Sequence, residues 1–157
     1  MKFTTNEDIE APIEAVFDAV SNFEAMERSA LRRGARVQRV DRKTYAKTLI
    51  SWDVQFSFRG KTRNLLAELT EFDAPNRILV QSLSGGIKGD FLIELVAHSR
   101  NRTRLSMEME IRPKNLSARL LIQSMRLAKN KLTKQYKMRV AKYATEIENR
   151  HKSGRIN

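Results

Sequence analysis

The chain has 157 residues, of which 41% are hydrophobic and 31% charged, and its thirty Lys and Arg against eighteen Asp and Glu give a formal net charge of +12. This composition is typical of one globular domain, and no stretch approaches the roughly 20 apolar residues that a membrane-spanning helix needs. The absence of cysteine excludes disulfides, thiolate catalysis and cysteine-ligated metals. Together with an N-terminus that has no apolar leader, it predicts a cytoplasmic protein that forms a single domain over residues 1–150.

The N-terminal part of the chain predicts a strand followed by two short helices. Residues 2–10 alternate weakly in polarity, and Glu7 falls on the apolar side. Pro12 stands where a first helical turn starts, and the apolar residues after it recur at helical spacing. Ser21 and Glu24 have the spacing of a capping box, which predicts the start of the second helix.

Between residues 36 and 113 the apolar period changes to two, which predicts six antiparallel strands joined by turns. The last two of these strands form the best-defined hairpin. If its turn is centred near Arg100, Phe91 faces Met109 and every apolar residue of the pair falls on one side. The predicted sheet therefore has one apolar face that another element must cover. On the opposite face, Glu108 and Glu110 are predicted to form surface ion pairs with Arg102 and Arg104.

Residues 115–150 contain neither Gly nor Pro, and their apolar residues recur at steps of three and four. This pattern predicts one amphipathic helix of about 35 residues and about 50 Å. Residues 112–157 carry thirteen Lys or Arg against two acidic residues, a balance of +11, and residues 151–157 are predicted to be a disordered basic tail. The other faces of the helix present a candidate surface for an anionic partner, formed by Lys129, Lys134, Lys137, Arg139 and Lys142.

The segment from Ile9 to Phe23 reads IEAPIEAVFDAVSNF, with an Ala-Pro pair, an aromatic residue a few positions on and a Ser-Asn-Phe sequence. This segment and the order of the elements resemble the START-like (SRPBCC) superfamily, which includes polyketide cyclase/dehydrase-like and lipid-transport proteins. The resemblance implies an α+β helix-grip fold, in which a seven-stranded curved antiparallel sheet wraps around a long C-terminal helix and two short helices lie between strands 1 and 2. It also implies a cavity between sheet and helix that takes an apolar ligand.

Aromatic and methionine side chains of the apolar face are candidates to line such a cavity, because they adapt to apolar ligands. Trp52 and Tyr136 could donate a hydrogen bond to a ligand head group. Glu7 is a carboxylate among apolar positions and is included for that reason. The candidate cavity residues are Trp52, Phe56, Phe58, Phe91, Met107, Met109, Leu121, Met125, Tyr136 and Glu7.

Three functions fit these patterns. The first is a non-enzymatic carrier of a small hydrophobic or lipid-like ligand, whose basic helix makes transient contact with an anionic membrane. The second is a polyketide cyclase/dehydratase-like enzyme, for which Glu7 with Trp52 or Tyr136 is the only candidate trio. The third is a binder of anionic membrane or nucleic acid through the basic helix, and nucleic acid ranks last because no exposed aromatic residues are interleaved with the basic ones.

Neither a catalytic residue nor a cofactor is assigned. His98 and His151 are isolated from each other, and the sequence contains no HxxxH or HExxH spacing, so no metal site is expected.

Overall fold

A computed structural model describes residues 1–154 of the chain. Its elements in chain order are β1 (Lys2–Ile9), α1 (Ile13–Val20), α2 (Phe23–Arg32), β2 (Arg36–Val40), β3 (Ile50–Phe58), β4 (Lys61–Asp73), β5 (Arg77–Ser84), β6 (Ile87–Ser99), β7 (Arg102–Pro113), α3 (Leu116–Arg126) and α4 (Lys129–Lys152). The predicted α+β helix-grip fold is confirmed, with two short helices between the first two strands and a long C-terminal helix.

The seven strands form one curved antiparallel sheet in the order β1-β7-β6-β5-β4-β3-β2. The predicted register of the last hairpin is confirmed, since Phe91 pairs with Met109 across β6 and β7. β1 pairs with β7, which leaves β1 and β2 at the two edges of the sheet. The first and last strands are therefore neighbours, and the helices that follow β7 return across the β1 side.

The core lies between the concave face of the sheet and helices α1 and α4. Val16 and Val20 of α1 and Val140 and Ile147 of α4 are buried in the same cluster as the sheet residue Leu105. Each completely buried aliphatic side chain of this kind contributes about 1.5–3 kcal/mol through loss of contact with water. The buried apolar residues of α4 thus anchor the second half of that helix to the core.

The prediction of one continuous helix over 115–150 was wrong, because the chain bends at Leu127 and Ala128 between α3 and α4. No Gly or Pro causes the bend, and Ala128 leaves helical geometry with φ −107° and ψ 18°. α3 packs against β7, whereas α4 packs against β1 and α1. One straight helix cannot pack against both β7 and β1 of a curved sheet, so tertiary packing determines where the helix breaks.

Two local predictions also need correction. α2 is capped by Asn22, whose side chain accepts a hydrogen bond from the Ala25 amide at 3.1 Å, and not by Ser21. His151 and Lys152, assigned to the disordered tail, lie in the last turn of α4. The remaining tail residues 155–157 lie outside the described residues.

Candidate functional site

The middle of the concave face is only partly covered by the helices. Phe3, Met109 and Phe91 stand side by side on β1, β7 and β6, and the Met109 side chain is 39% exposed. Because α3 lies over β7 and α4 over β1, Met109 faces the region where the chain bends from one helix to the other. An apolar surface therefore stays accessible inside the concave side of the sheet.

A row of residues that are small in the middle and large at both ends crosses the same face. The strand register aligns Trp52, Ala67, Ser82, Gly89 and Ile111 on successive strands from β3 to β7. A Cβ atom added at Gly89 would approach the Ser82 hydroxyl oxygen to 2.8 Å, so the backbone there is closely packed. Small side chains in the centre and large ones on either side make a depression in the concave face.

One wall of this depression is the inner side of α3. Leu121 and Met125 are half-buried there, and the Arg59 guanidinium from the β3–β4 turn donates a hydrogen bond to the Ser124 hydroxyl at 2.5 Å. Arg59 and Arg63 both place their guanidinium carbons 5.6 Å from the centroid of the Phe58 ring. We call the part of the concave face beside α3 the concave cleft. Six of the predicted residues lie on that face or on the half-buried side of α3: Phe56, Phe58, Phe91, Met109, Leu121 and Met125.

Trp52 and Met107 were also predicted to line the cavity. Both side chains are buried in the core, and the Trp52 indole N–H donates to the Glu27 carboxylate at 2.7 Å. Glu27 also accepts from the Arg39 guanidinium at 2.6 Å. Burial alone raises the pKa of Glu27, but the hydrogen bonds from Arg39 and Trp52 outweigh it and hold that pKa below its usual value.

Tyr136 of α4 packs its ring edge-on against Phe3, with centroids 5.7 Å apart. Its hydroxyl is buried and has no hydrogen-bond partner among residues 1–154. Burial, with a smaller contribution from Glu108, raises the pKa of Tyr136 to about 12, so the hydroxyl stays protonated and able to donate. Glu7 lies four positions from Phe3 on the same face of β1, about 13 Å along the strand.

Two cavities lie at the margins of the sheet. The first, of about 810 Å³, is at the β2–β4 end. Val37, Val54 and Leu65 contribute to it from the concave face, whereas Gln38, Asp53, Leu66 and Leu83 contribute from the convex face. This space therefore lies at the β2 edge and is lined from both faces of the sheet. The other residues lining it are Leu31, Arg36, Arg42, Gln55 and Asn64.

The second cavity, of about 620 Å³, is polar and lies near the end of α4, between Glu10, Arg102 and Lys152. None of the ten predicted cavity residues lines either space.

The five basic residues predicted to form an anionic-partner surface are all exposed on α4. In the part of the chain that the structure describes, none of them pairs with a carboxylate within 4.0 Å. No described helix combines the length and apolar character needed to cross a bilayer. Within residues 1–154, no three His, Cys, Asp or Glu side chains are placed to share a metal ion.

The predicted ion pairs on the convex face differ in their partners. Arg102 and Arg104 both pair with Asp8. Glu108 pairs with Lys2, and Glu110 with Arg112. The prediction omitted β1, which lies directly beside β7.

Three further polar residues have roles in the structure that were not predicted from the sequence. Arg63 lies on the concave face opposite Phe56, and its signal was its position in the period-2 series that continues through Leu65. Glu27 gave no signal, because only the fold brings it to Trp52. Glu68 is buried on the convex face beneath the loop that connects β2 and β3, and a lone charge in a strand does not predict that contact.

Comparison with known proteins supports the fold. No protein-family model matches the sequence, and no curated protein does so at a significant level. Among solved structures, a protein of Thermus thermophilus is 16% identical with a TM-score of 0.64, covering 98% of this chain and 99% of its own. The Zhui aromatase/cyclase of a Streptomyces species is 10% identical with a TM-score of 0.64, covering 96% and 94%. A START superfamily protein of Mycobacterium smegmatis is 12% identical with a TM-score of 0.55, covering 85% and 95%.

These similarities, all at low identity, establish the fold and leave the activity open. The chain has a START-like helix-grip fold, as its N-terminal segment indicated.

Proposed function

We propose that the chain is a carrier that binds a small apolar or lipid-like molecule in the concave cleft. The observation that carries this proposal is the accessibility of Met109, which is 39% exposed on the face that otherwise forms the core. Apolar surface held inside a concave shape, with few polar groups around it, is typical of sites for small apolar ligands. Half-buried Phe91 and Met125 would supply adaptable contacts on two sides.

The polar groups of the cleft favour an elongated ligand with an acidic head group. Arg63 lies on the concave side, and its Nε donates to the Phe58 carbonyl at 3.3 Å. It has no carboxylate partner among the described residues, so its terminal guanidinium nitrogens could bind a carboxylate or phosphate. Tyr136 lies at the β1 side, several strands away, and its hydroxyl has no hydrogen-bond partner among residues 1–154. Neighbouring strands are about 4.8 Å apart, so a ligand touching both groups must span most of the sheet.

The resemblance of fold to an aromatase/cyclase supports an enzyme as the second candidate. Its predicted trio, however, is not brought together. Trp52 lies on β3 and Glu7 on β1, five strands apart in the sheet order, which is about 20 Å or more. Trp52 also donates its N–H to Glu27 and has no donor left for a substrate. The carrier is therefore the better-supported function.

The direct test is to purify the protein natively from the cells that produce it, extract it with organic solvent and identify bound molecules by mass spectrometry. We expect one class of apolar molecule with an acidic head group, absent from a control protein purified in parallel. Repeated absence of any bound molecule, together with failure to bind long-chain fatty acids or an apolar fluorescent probe, would overturn the carrier function.

A further inference from the structure

The side of α3 that faces away from the sheet carries exposed leucines. Ala118 and Ile122 are the buried residues of this helix. Leu116, Leu120 and Leu127 are 70%, 58% and 91% exposed. At 3.6 residues per turn their spacing places all three within about 40° of one helix face, and Leu127 stands at the bend before α4. Three exposed leucines on one face form an apolar patch that no described residue covers.

The same region concentrates positive charge. From Pro113 to Thr145 the sequence contains no acidic residue. Its nine basic side chains are all exposed, and among residues 1–154 none of them pairs with a carboxylate. In contrast, six arginines elsewhere are paired, namely Arg39, Arg42, Arg77, Arg102, Arg104 and Arg112. The nine basic residues are Lys114, Arg119, Arg126, Lys129, Lys131, Lys134, Lys137, Arg139 and Lys142.

We propose that this surface docks the protein on an anionic lipid bilayer. The docking surface consists of the three leucines with the neighbouring basic residues Arg119, Arg126, Lys129 and Lys131. A helix lying in a membrane interface buries apolar side chains about 5–10 Å deep and attracts anionic lipid through the basic residues beside them. Leu127 is the first side chain to enter, because it is the most exposed and has Arg126 and Lys129 close to it in sequence.

Lipid fits this surface better than nucleic acid does. A phosphodiester backbone would neutralise the basic residues but would leave Leu116, Leu120 and Leu127 in water. A bilayer provides phosphates and an apolar layer at successive depths, which matches cations surrounding leucines. The docking surface is also the outer side of the helix whose inner residues Leu121 and Met125 border the concave cleft. Docking nevertheless depends only on the outer side, so it stands whether or not the cleft carries a ligand.

The test is flotation of the full-length protein with vesicles of phosphatidylcholine alone or of equal parts phosphatidylcholine and phosphatidylglycerol. We expect binding to the mixed vesicles and little to the neutral ones. Leu127→Asn and Leu120→Asn are each expected to weaken partitioning about tenfold, and Lys131→Glu about as much, because one attraction is removed and a repulsion added. These positions are exposed, so the variants should unfold at the same temperature as the wild type.

Leu49→Asn is the matched control for the leucines, since Leu49 is 59% exposed but lies on the β2–β3 loop. Lys47→Glu is the control for charge, on the same loop. Both should bind as the wild type does. The proposal is overturned if the mixed vesicles are not bound, if the controls weaken binding as much as the α3 variants, or if the leucine variants bind normally while duplex DNA binds equally well.

Discussion

The indole N–H of Trp52 on β3 donates to the carboxylate of Glu27 on α2 at 2.7 Å, and so connects the sheet to the helix that covers its β2 edge. The Arg39 guanidinium donates to the same oxygen at 2.6 Å. Phe23, also on α2, packs its ring against Trp52 with centroids 5.6 Å apart. The Glu27 carboxylate therefore accepts from an indole and from a guanidinium. These two hydrogen bonds and the contact between the Phe23 and Trp52 rings hold this corner of the fold together.

Replacing Glu27 with Gln should destabilise the protein by about 1–2 kcal/mol at neutral pH, because the charge that strengthens both hydrogen bonds is lost. The lowered pKa of Glu27 fixes the sign of the pH dependence. Its stabilising contribution is complete above the unfolded-state pKa of 4.5 and is lost as pH falls through the lower folded-state pKa. The difference between wild type and variant should therefore shrink as the pH falls below the unfolded-state value of 4.5.

Urea unfolding can be followed through Trp52, which is the only tryptophan in the chain, and the variant should also shift its emission. Glu24→Gln on the same helix is the control, because Glu24 is exposed and has no ion pair among the described residues. An equal loss of stability in both variants, or a difference that grows in acid, would contradict the role given to Glu27.

Glu68 is 2% exposed and fastens the β2–β3 loop to the convex face of the sheet. It accepts from the Thr48 hydroxyl at 2.6 Å and from the Thr44 amide at 2.9 Å. Burial alone raises the pKa of Glu68, but these hydrogen bonds outweigh it and lower that pKa overall. Glu68→Gln should cost about 2–3 kcal/mol, since the charge that strengthens these buried hydrogen bonds is lost and only one side-chain oxygen remains to accept. Chemical denaturation and faster hydrogen exchange at the Thr44 amide measure the effect.

The nearby Arg42–Asp53 pair provides the comparison. Its nitrogen–oxygen distance is 2.5 Å, yet both side chains are largely exposed. An exposed ion pair contributes about 0–1 kcal/mol, so Asp53→Asn should cost less than Glu68→Gln. A larger cost for Asp53→Asn would show that the loop is held by the surface pair instead.

Met109→Lys tests the concave cleft without disturbing the buried core. The side chain is partly exposed between Phe3 and Phe91, so the lysine can reach water and the fold should lose less than about 1.5 kcal/mol. An apolar ligand would meet a charge, and its affinity should fall at least tenfold. Titration with an apolar fluorescent probe or a long-chain fatty acid measures this change. Met138→Lys, on the exposed side of α4, should bind as the wild type does.

The sequence predicts the elements of this fold well where one physical rule decides. Two strands with strict alternation admit a single register, so the pairing of Phe91 with Met109 follows from keeping apolar residues on one side. The stripe of α4 likewise predicts the burial of Val140 and Ile147. Such patterns report which face is buried, and the fold class follows from their order.

Interactions between distant segments are not encoded in such patterns. The bend at Ala128 has no local breaker and results from packing on a curved sheet. For the same reason Leu120, an apolar residue within the predicted amphipathic helix, lies exposed on the outer side of α3. Trp52 was predicted to be available to a ligand, and only the fold shows that Glu27 occupies its N–H.

Tyr136→Phe separates a ligand contact from a structural one. The Tyr136 hydroxyl is buried without a partner among residues 1–154, and such a group costs about 1–3 kcal/mol when it is left unsatisfied. Its removal should therefore leave the ligand-free protein as stable as before, or about 1 kcal/mol more stable.

A ligand whose polar atom accepts from this hydroxyl should instead bind about tenfold more weakly to the Tyr136→Phe variant. Tyr143→Phe is the matched control, because the Tyr143 hydroxyl already donates to the Ala19 carbonyl at 3.4 Å. That variant should lose a little stability and keep its ligand affinity. If Tyr136→Phe destabilises the ligand-free protein while affinity stays the same, the hydroxyl has a structural role and the ligand is oriented by other groups.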